Sequence, residues 1–172
     1  MTDHHPSVVH APVIPWIEPE SAPFGNGKAF AVRAKRLAHA AGAKLLGCTL
    51  YELSPGKKSF PFHYHLAQEE ALYLLEGQAT LRLGDGEVVV REGDYVALPV
   101  GPAHSHQMIN STDKICRYLC ISTAAFPEIA VYTDSGKVGL LGGPASVSAN
   151  GAPLIQLSRH GETLGYYDGE EG

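Results

Sequence analysis

Four side chains in this sequence have the types and spacing to hold a metal ion. His63, His65 and Glu70 lie in the run FPFHYHLAQEEALYLLEG, and His104 lies in GDYVALPVGPAHSHQMIN. Successive side chains of a β-strand point to opposite faces, so His63 and His65 share a face, about 7 Å apart along the strand. Joined by a carboxylate and a third imidazole, they form a nitrogen–oxygen cage for one divalent transition metal, with Fe, Zn, Mn, Ni and Cu all admissible. Four protein ligands leave about two open positions on an octahedral ion and one on a five-coordinate ion. Iron or copper could there bind substrate and dioxygen side by side. Zinc, nickel or manganese could instead polarise a carbonyl or hydroxyl, or acidify a bound water.

Such residues must be carried by strands, and the chain supplies them from Lys44 onward. KLLGCTLYELSPG and SFPFHYH read as two strands, followed by EEALYLLEG, QATLRLG and EVVVREG. Gly84-Asp85-Gly86 reads as a hairpin turn. YVALPVG, HSHQMIN and KICRYLCIST continue the series. Short strands at this spacing indicate an antiparallel sandwich or barrel, a jelly roll among the options. Period 2 puts Glu70, Leu72 and Leu74 on one face and Glu69, Ala71 and Tyr73 on the other, which makes Glu69 a solvated charge. The same alternation sends Phe60, Phe62 and Tyr64 away from the histidines. It turns His106 inward with His104, as a candidate acid/base, and the inward set then includes Leu72, Leu74 and Met108.

At these residues the chain resembles the cupin superfamily, in particular small single-domain bacterial cupins. The first cupin motif is matched by Gly56, His63, His65, Glu70 and Gly77, with one extra residue between Gly56 and His63. The second is matched by Gly93, Pro99, Gly101 and His104, but its asparagine is displaced. Met108 stands where that residue should follow His104, and Asn110 stands at the proper distance from His106. The fourth ligand is therefore His104 or His106, and the spacing from Pro99 and Gly101 favours His104. The resemblance covers about residues 44–123. It implies an all-β fold, a single double-stranded β-helix barrel of jelly-roll type with an extended N-terminal arm, and a homodimer.

The remaining segments divide around that core. Residues 1–27 contain Pro6, Pro12, Pro15, Pro19 and Pro23 and form an arm rather than a helix. Residues 28–160 are assigned to the barrel, with 28–43 read as strand by analogy with the related cupins. Residues 124–152, rich in Gly, Ala, Ser and Pro, are expected to be a flap or disordered. PLIQLSRHG offers a last strand, and 161–172 form a tail.

Composition narrows the partners. At 172 residues the chain suits one domain with its own core. A formal charge of −5 with no basic stripe argues against nucleic acid. No apolar run reaches the length of a membrane span, and MTDHHPSVV lacks the features of a secretory signal, so a cytoplasmic location is expected. Three cysteines without CxxC spacing read as reduced thiols.

The partner expected is therefore a small molecule. Two classes of function remain open. One is a metal-dependent enzyme, with dioxygenase chemistry slightly ahead of isomerase or lyase chemistry. The other is a non-catalytic module that binds a small ligand. A sugar-phosphate isomerase needs a phosphate clamp, and Lys57, Lys58, Arg82 and Arg117 read mostly as solvated charges.

Overall fold

A computed structural model of the protein describes residues 5–19, 28–143, 154–161 and 163–170. Twelve strands occupy them: β1 (Val32–Arg36), β2 (Leu46–Leu53), β3 (His63–His65), β4 (Glu70–Glu76), β5 (Gln78–Leu83), β6 (Gly86–Arg91), β7 (Tyr95–Leu98), β8 (His106–Ile109), β9 (Cys116–Thr123), β10 (Glu128–Tyr132), β11 (Lys137–Leu141) and β12 (Ile155–Arg159). They form two antiparallel sheets with a jelly-roll-like strand order, β1-β2-β9-β4-β7 and β12-β11-β10-β3-β8-β5-β6.

The inward faces meet in one apolar layer. Leu53, Leu72, Leu74, Leu98 and Tyr118 come from the first sheet, and Ala79, Leu81, Val90 and Met108 from the second. Period-2 alternation accounts for this: Leu72 and Leu74 are buried while Tyr73 and Leu75 between and beside them are exposed. Gly77 joins β4 to β5 with φ of 77°, and a Cβ there would lie 2.5 Å from the carbonyl oxygen of Ile115. Both the left-handed backbone and the close approach require glycine at this motif position.

The described part of the arm lies on its own chain. Ile17 exchanges backbone hydrogen bonds with Ala34 on the edge strand β1. Arg33 and Lys35 pack over the Trp16 ring, and the Lys35 ammonium donates to the carbonyls of Ala11 and Pro12. The arm thus covers a strand edge that would otherwise be open to pairing. Within 28–43, β1 is followed by one helical turn, α1 (Leu37–Ala40), so the segment is strand and helix in succession.

The expectation of a flap over 124–152 requires correction. β10 and β11 form a hairpin inside it, and β10 pairs with β3. Gly139 and the turn Thr133–Gly136 interrupted any visible alternation in the sequence; pairing with neighbours settles the conformation. Residues 144–152 of that segment lie outside the described ones. No helix among the described residues is long and apolar enough to cross a membrane.

Candidate metal centre

β3 is only three residues long, but it lies between β10 and β8. His63 and His65 project from the same face of it. His106 opens β8 directly opposite His63. The ring centroids of His63 stand 4.9 Å from His65 and 4.6 Å from His106, and the nitrogen donors of the three lie within 4.8 Å of one another. Glu70, the first residue of β4, reaches across from the other sheet. Its Oε2 is 3.4 Å from His65 Nε2 and 3.3 Å from His106 Nε2.

His104 is not in this cluster. Gly101, with φ of 103°, leads into a single 3-10 turn over Pro102–His104, so strand geometry begins only at His106. Counting from Pro99 and Gly101 assumed an extended chain through a stretch that turns. His104 contributes its backbone instead: its carbonyl oxygen accepts from His106 Nδ1 at 3.0 Å. His106, expected as an acid/base beside the metal, stands among the donors themselves. Asn110, at the motif's distance from His106 in the sequence, is fully buried and clamps the chain after β8. Its amide donates to the carbonyls of Leu53 and Lys114, and its Oδ1 accepts from the Thr112 amide and hydroxyl.

Each imidazole is oriented by a second partner. Carbonyl oxygens only accept, so His63 Nδ1 donates to Pro61 at 2.7 Å and His106 Nδ1 donates to His104, leaving both Nε2 lone pairs facing the cluster. His65 Nδ1 meets Glu128 Oε1 at 3.2 Å. The Glu128 carboxylate is 2% exposed and also accepts the backbone N–H groups of Leu66, Ala67 and Gln68. On the inner side, His65 Nε2 is buried with no well-aligned hydrogen-bond partner, its contact with Glu70 being long. An orphaned nitrogen aimed at two other imidazoles and a carboxylate is what an ion would satisfy.

The electrostatics agree. Burial, with His106 and His65 adding to it, pushes His63 down to about 3, so this ring is neutral and able to donate its lone pair. Burial also pulls His65 down, but the Glu70 and Glu128 carboxylates on either side outweigh it and hold the ring above its ordinary value. Burial pushes Glu70 up, yet the His106 and His65 rings beside it outweigh burial and keep its carboxyl well below the usual carboxylate range. The donor set is thus a carboxylate among imidazoles, and the cluster His63, His65 and His106 is compatible with one divalent transition-metal ion.

The cluster opens on a cavity of about 450 Å³, the size of a small-molecule site. Leu72, Met108, Tyr132 and Lys137 are among its walls. Leu74 is buried in the core instead. Phe60 also lines the cavity, meeting Tyr51 edge-on at 5.5 Å. It was expected on the far face, but β3 starts at His63 and strict alternation does not extend back to it. Phe62 is buried beneath the Arg82 guanidinium, which pairs with Asp134. Glu128, Tyr132 and Lys137 escaped sequence reading. The one available signal was the alternation Glu128-Ala130-Tyr132, which in register with β3 faces the histidines.

Comparison with known proteins agrees with this geometry. The family model of the Cupin domain matches residues 49–122, a span that holds all four clustered side chains. The chain carries a cupin domain. The structural likeness extends beyond that span: a sugar phosphate isomerase of the cupin superfamily from Silicibacter pomeroyi superposes with a TM-score of 0.74 at 28% identity, over 92% of this chain and 97% of that one. A protein from Acidithiobacillus ferrooxidans, named as a candidate sugar phosphate isomerase, superposes with a TM-score of 0.67 at 25% identity, over 79% and 81%. Among curated proteins, quercetin 2,3-dioxygenase of Bacillus subtilis is 33% identical over 67 residues, which make up 38% of this chain. That match spans only 20% of the dioxygenase.

Proposed function

We propose that this cupin is a metal-dependent, redox-neutral isomerase of small hydroxy-carbonyl compounds of the sugar type. The observation that carries the reading is the likeness to the Silicibacter pomeroyi isomerase, which runs along nearly the whole of both chains. The dioxygenase expected first from the ligand set has support over a far shorter stretch. In this reading the two sheets are halves of one barrel. The Nε2 atoms of His63, His65 and His106, with Glu70, hold a single divalent ion. A bound ion supplies Lewis-acid polarisation of a substrate carbonyl or hydroxyl.

The chain's own residues do the rest. Pro61, His104 and Glu128 fix the ring orientations through Nδ1. Cys120 lies 3.5 Å from Glu70 Oε1, and burial pushes its thiol well above its usual range, so it stays protonated as a donor to that oxygen. Oε2 is left to face the cluster. Leu72, Met108 and Phe60 line an apolar cavity that limits water around the reacting carbons.

The test is aldose–ketose interconversion followed by proton NMR, on protein loaded in turn with manganese, zinc, nickel and iron. Conversion by the loaded protein, lost in the His63→Ala, His65→Ala double variant, is the expected result. Oxygen consumption with iron or copper on phenolic compounds, without any sugar conversion, would replace the isomerase with a dioxygenase.

A further inference from the structure

Among the described residues, Lys137 at the start of β11 is the one lysine or arginine on the cavity wall. Its Nζ lies 5.3 Å from the centroid of the Tyr132 ring. Tyr132 is stacked on His63, at 5.8 Å between centroids and 24° between planes. Those two steps put the ammonium no further than about 11 Å from the His63 ring. That is within reach of the far end of a short sugar whose carbonyl end meets the histidines.

Lys137 has a second cation beside it. Across the β11–β12 pair it stands directly opposite Arg159. Opposed residues of an antiparallel pair project from the same face, and like charges placed so repel each other. Among the described residues neither makes an ion pair. The contrast with other arginines is clear: Arg82 is held by Asp134, and Arg117 by Glu52 and Glu76. Two opposed cations that no described carboxylate pairs with, one of them on the cavity wall, are an arrangement that a bound anion neutralises.

We propose that Lys137 and Arg159 form an anion clamp at the outer end of the cavity, which takes a terminal phosphate or carboxylate of the substrate. The assignment of the other end of the substrate to the histidine cluster rests on the isomerase reading; the clamp does not. It also supplies the anion-binding cations that the sequence did not reveal, because both lie beyond the motif region.

Glucose, glucose 6-phosphate and glucuronate differ only at the terminal carbon and separate the cases. Their affinities for the full, manganese-loaded chain are measured by calorimetry, beside Lys137→Gln, Arg159→Gln and the double variant, with metal content determined for each. The clamp predicts that at least one charged sugar binds about tenfold or more tightly than glucose. It predicts that the double variant loses this preference at unchanged metal content. Preference for the phosphate or for the carboxylate names the anion. Equal binding of all three sugars, no binding of any, or a preference that survives the double variant overturns the clamp. An anion preference without sugar interconversion would leave the clamp standing and remove the isomerase. Interconversion indifferent to both cations would do the reverse.

Discussion

His65 and Glu128, 63 positions apart, meet at 3.2 Å through Nδ1 and Oε1. The same carboxylate accepts three consecutive backbone N–H groups, from Leu66, Ala67 and Gln68. One buried group therefore orients a donor imidazole and fixes the loop that leads to Glu70. Outer partners of this kind tune both ring orientation and basicity.

Glu128→Gln should lower metal affinity roughly ten- to hundredfold, as losses of such partners do. Glu128→Ala should in addition reduce stability by about 2–4 kcal/mol, since buried N–H groups lose their acceptor. Competition with a chromophoric chelator measures the first effect and urea denaturation of the metal-free protein the second. Unchanged chelator competition in both variants would remove Glu128 from the site.

The two histidines of PAHSH separate cleanly by substitution. His106→Ala should abolish stoichiometric metal binding, because it removes a donor that no neighbour replaces. His104→Ala should keep it, since the carbonyl that receives His106 Nδ1 belongs to the backbone. Metal analysis after dialysis decides it; the opposite pattern would restore the count made from Pro99 and Gly101.

Why that count failed shows what was legible in the sequence. His63, His65 and Glu70 could be placed because period-2 alternation is enforced wherever one face is buried, and Leu72 and Leu74 behind Glu70 are buried. The distance from Asn110 also pointed to His106. The distance from Pro99 pointed to His104, since a 3-10 turn and a strand consume residues at different rates. Phe60 was misplaced for the same reason, its segment being irregular up to His63. Glu128, Tyr132 and Lys137 were hidden because β10 and β11 have weak patterns of their own. Pairing with β3 gives them their faces.

Gly77 offers a test of the frame apart from the site. Gly77→Ala places a methyl 2.5 Å from the Ile115 carbonyl in a backbone with φ of 77°. Backbone on both sides cannot retreat cheaply, so a loss of about 2–4 kcal/mol is expected. Asn110→Ala should cost a comparable amount, because it strips two donated and two accepted hydrogen bonds from a fully buried position. Thermal and urea unfolding of both variants check this. A change of less than about 0.5 kcal/mol in either would mean the chain relaxes around the substitution.

Proton linkage gives the metal-free protein an unusual profile. His63 is lowered from 6.5 to about 3 by burial and its neighbouring rings. Below pH 6.5 the unfolded chain therefore takes up a proton that the folded one refuses, and stability falls as pH drops through that window toward 3. Glu70, held below its ordinary 4.5, adds to the loss at the acid end. His65 works the other way. Its folded value is raised, so its contribution is fully present below 6.5 and is lost as pH rises through the raised value. From these groups, stability of the metal-free protein should peak near 6.5. An ion needs all three rings neutral, so its binding must displace the His65 proton, and its stabilising effect should grow with pH across the same region. Melting temperatures of metal-free and manganese-loaded protein, followed from about pH 4 to 9, read both trends. Curves that run parallel over that range would mean His65 carries no proton for the ion to displace.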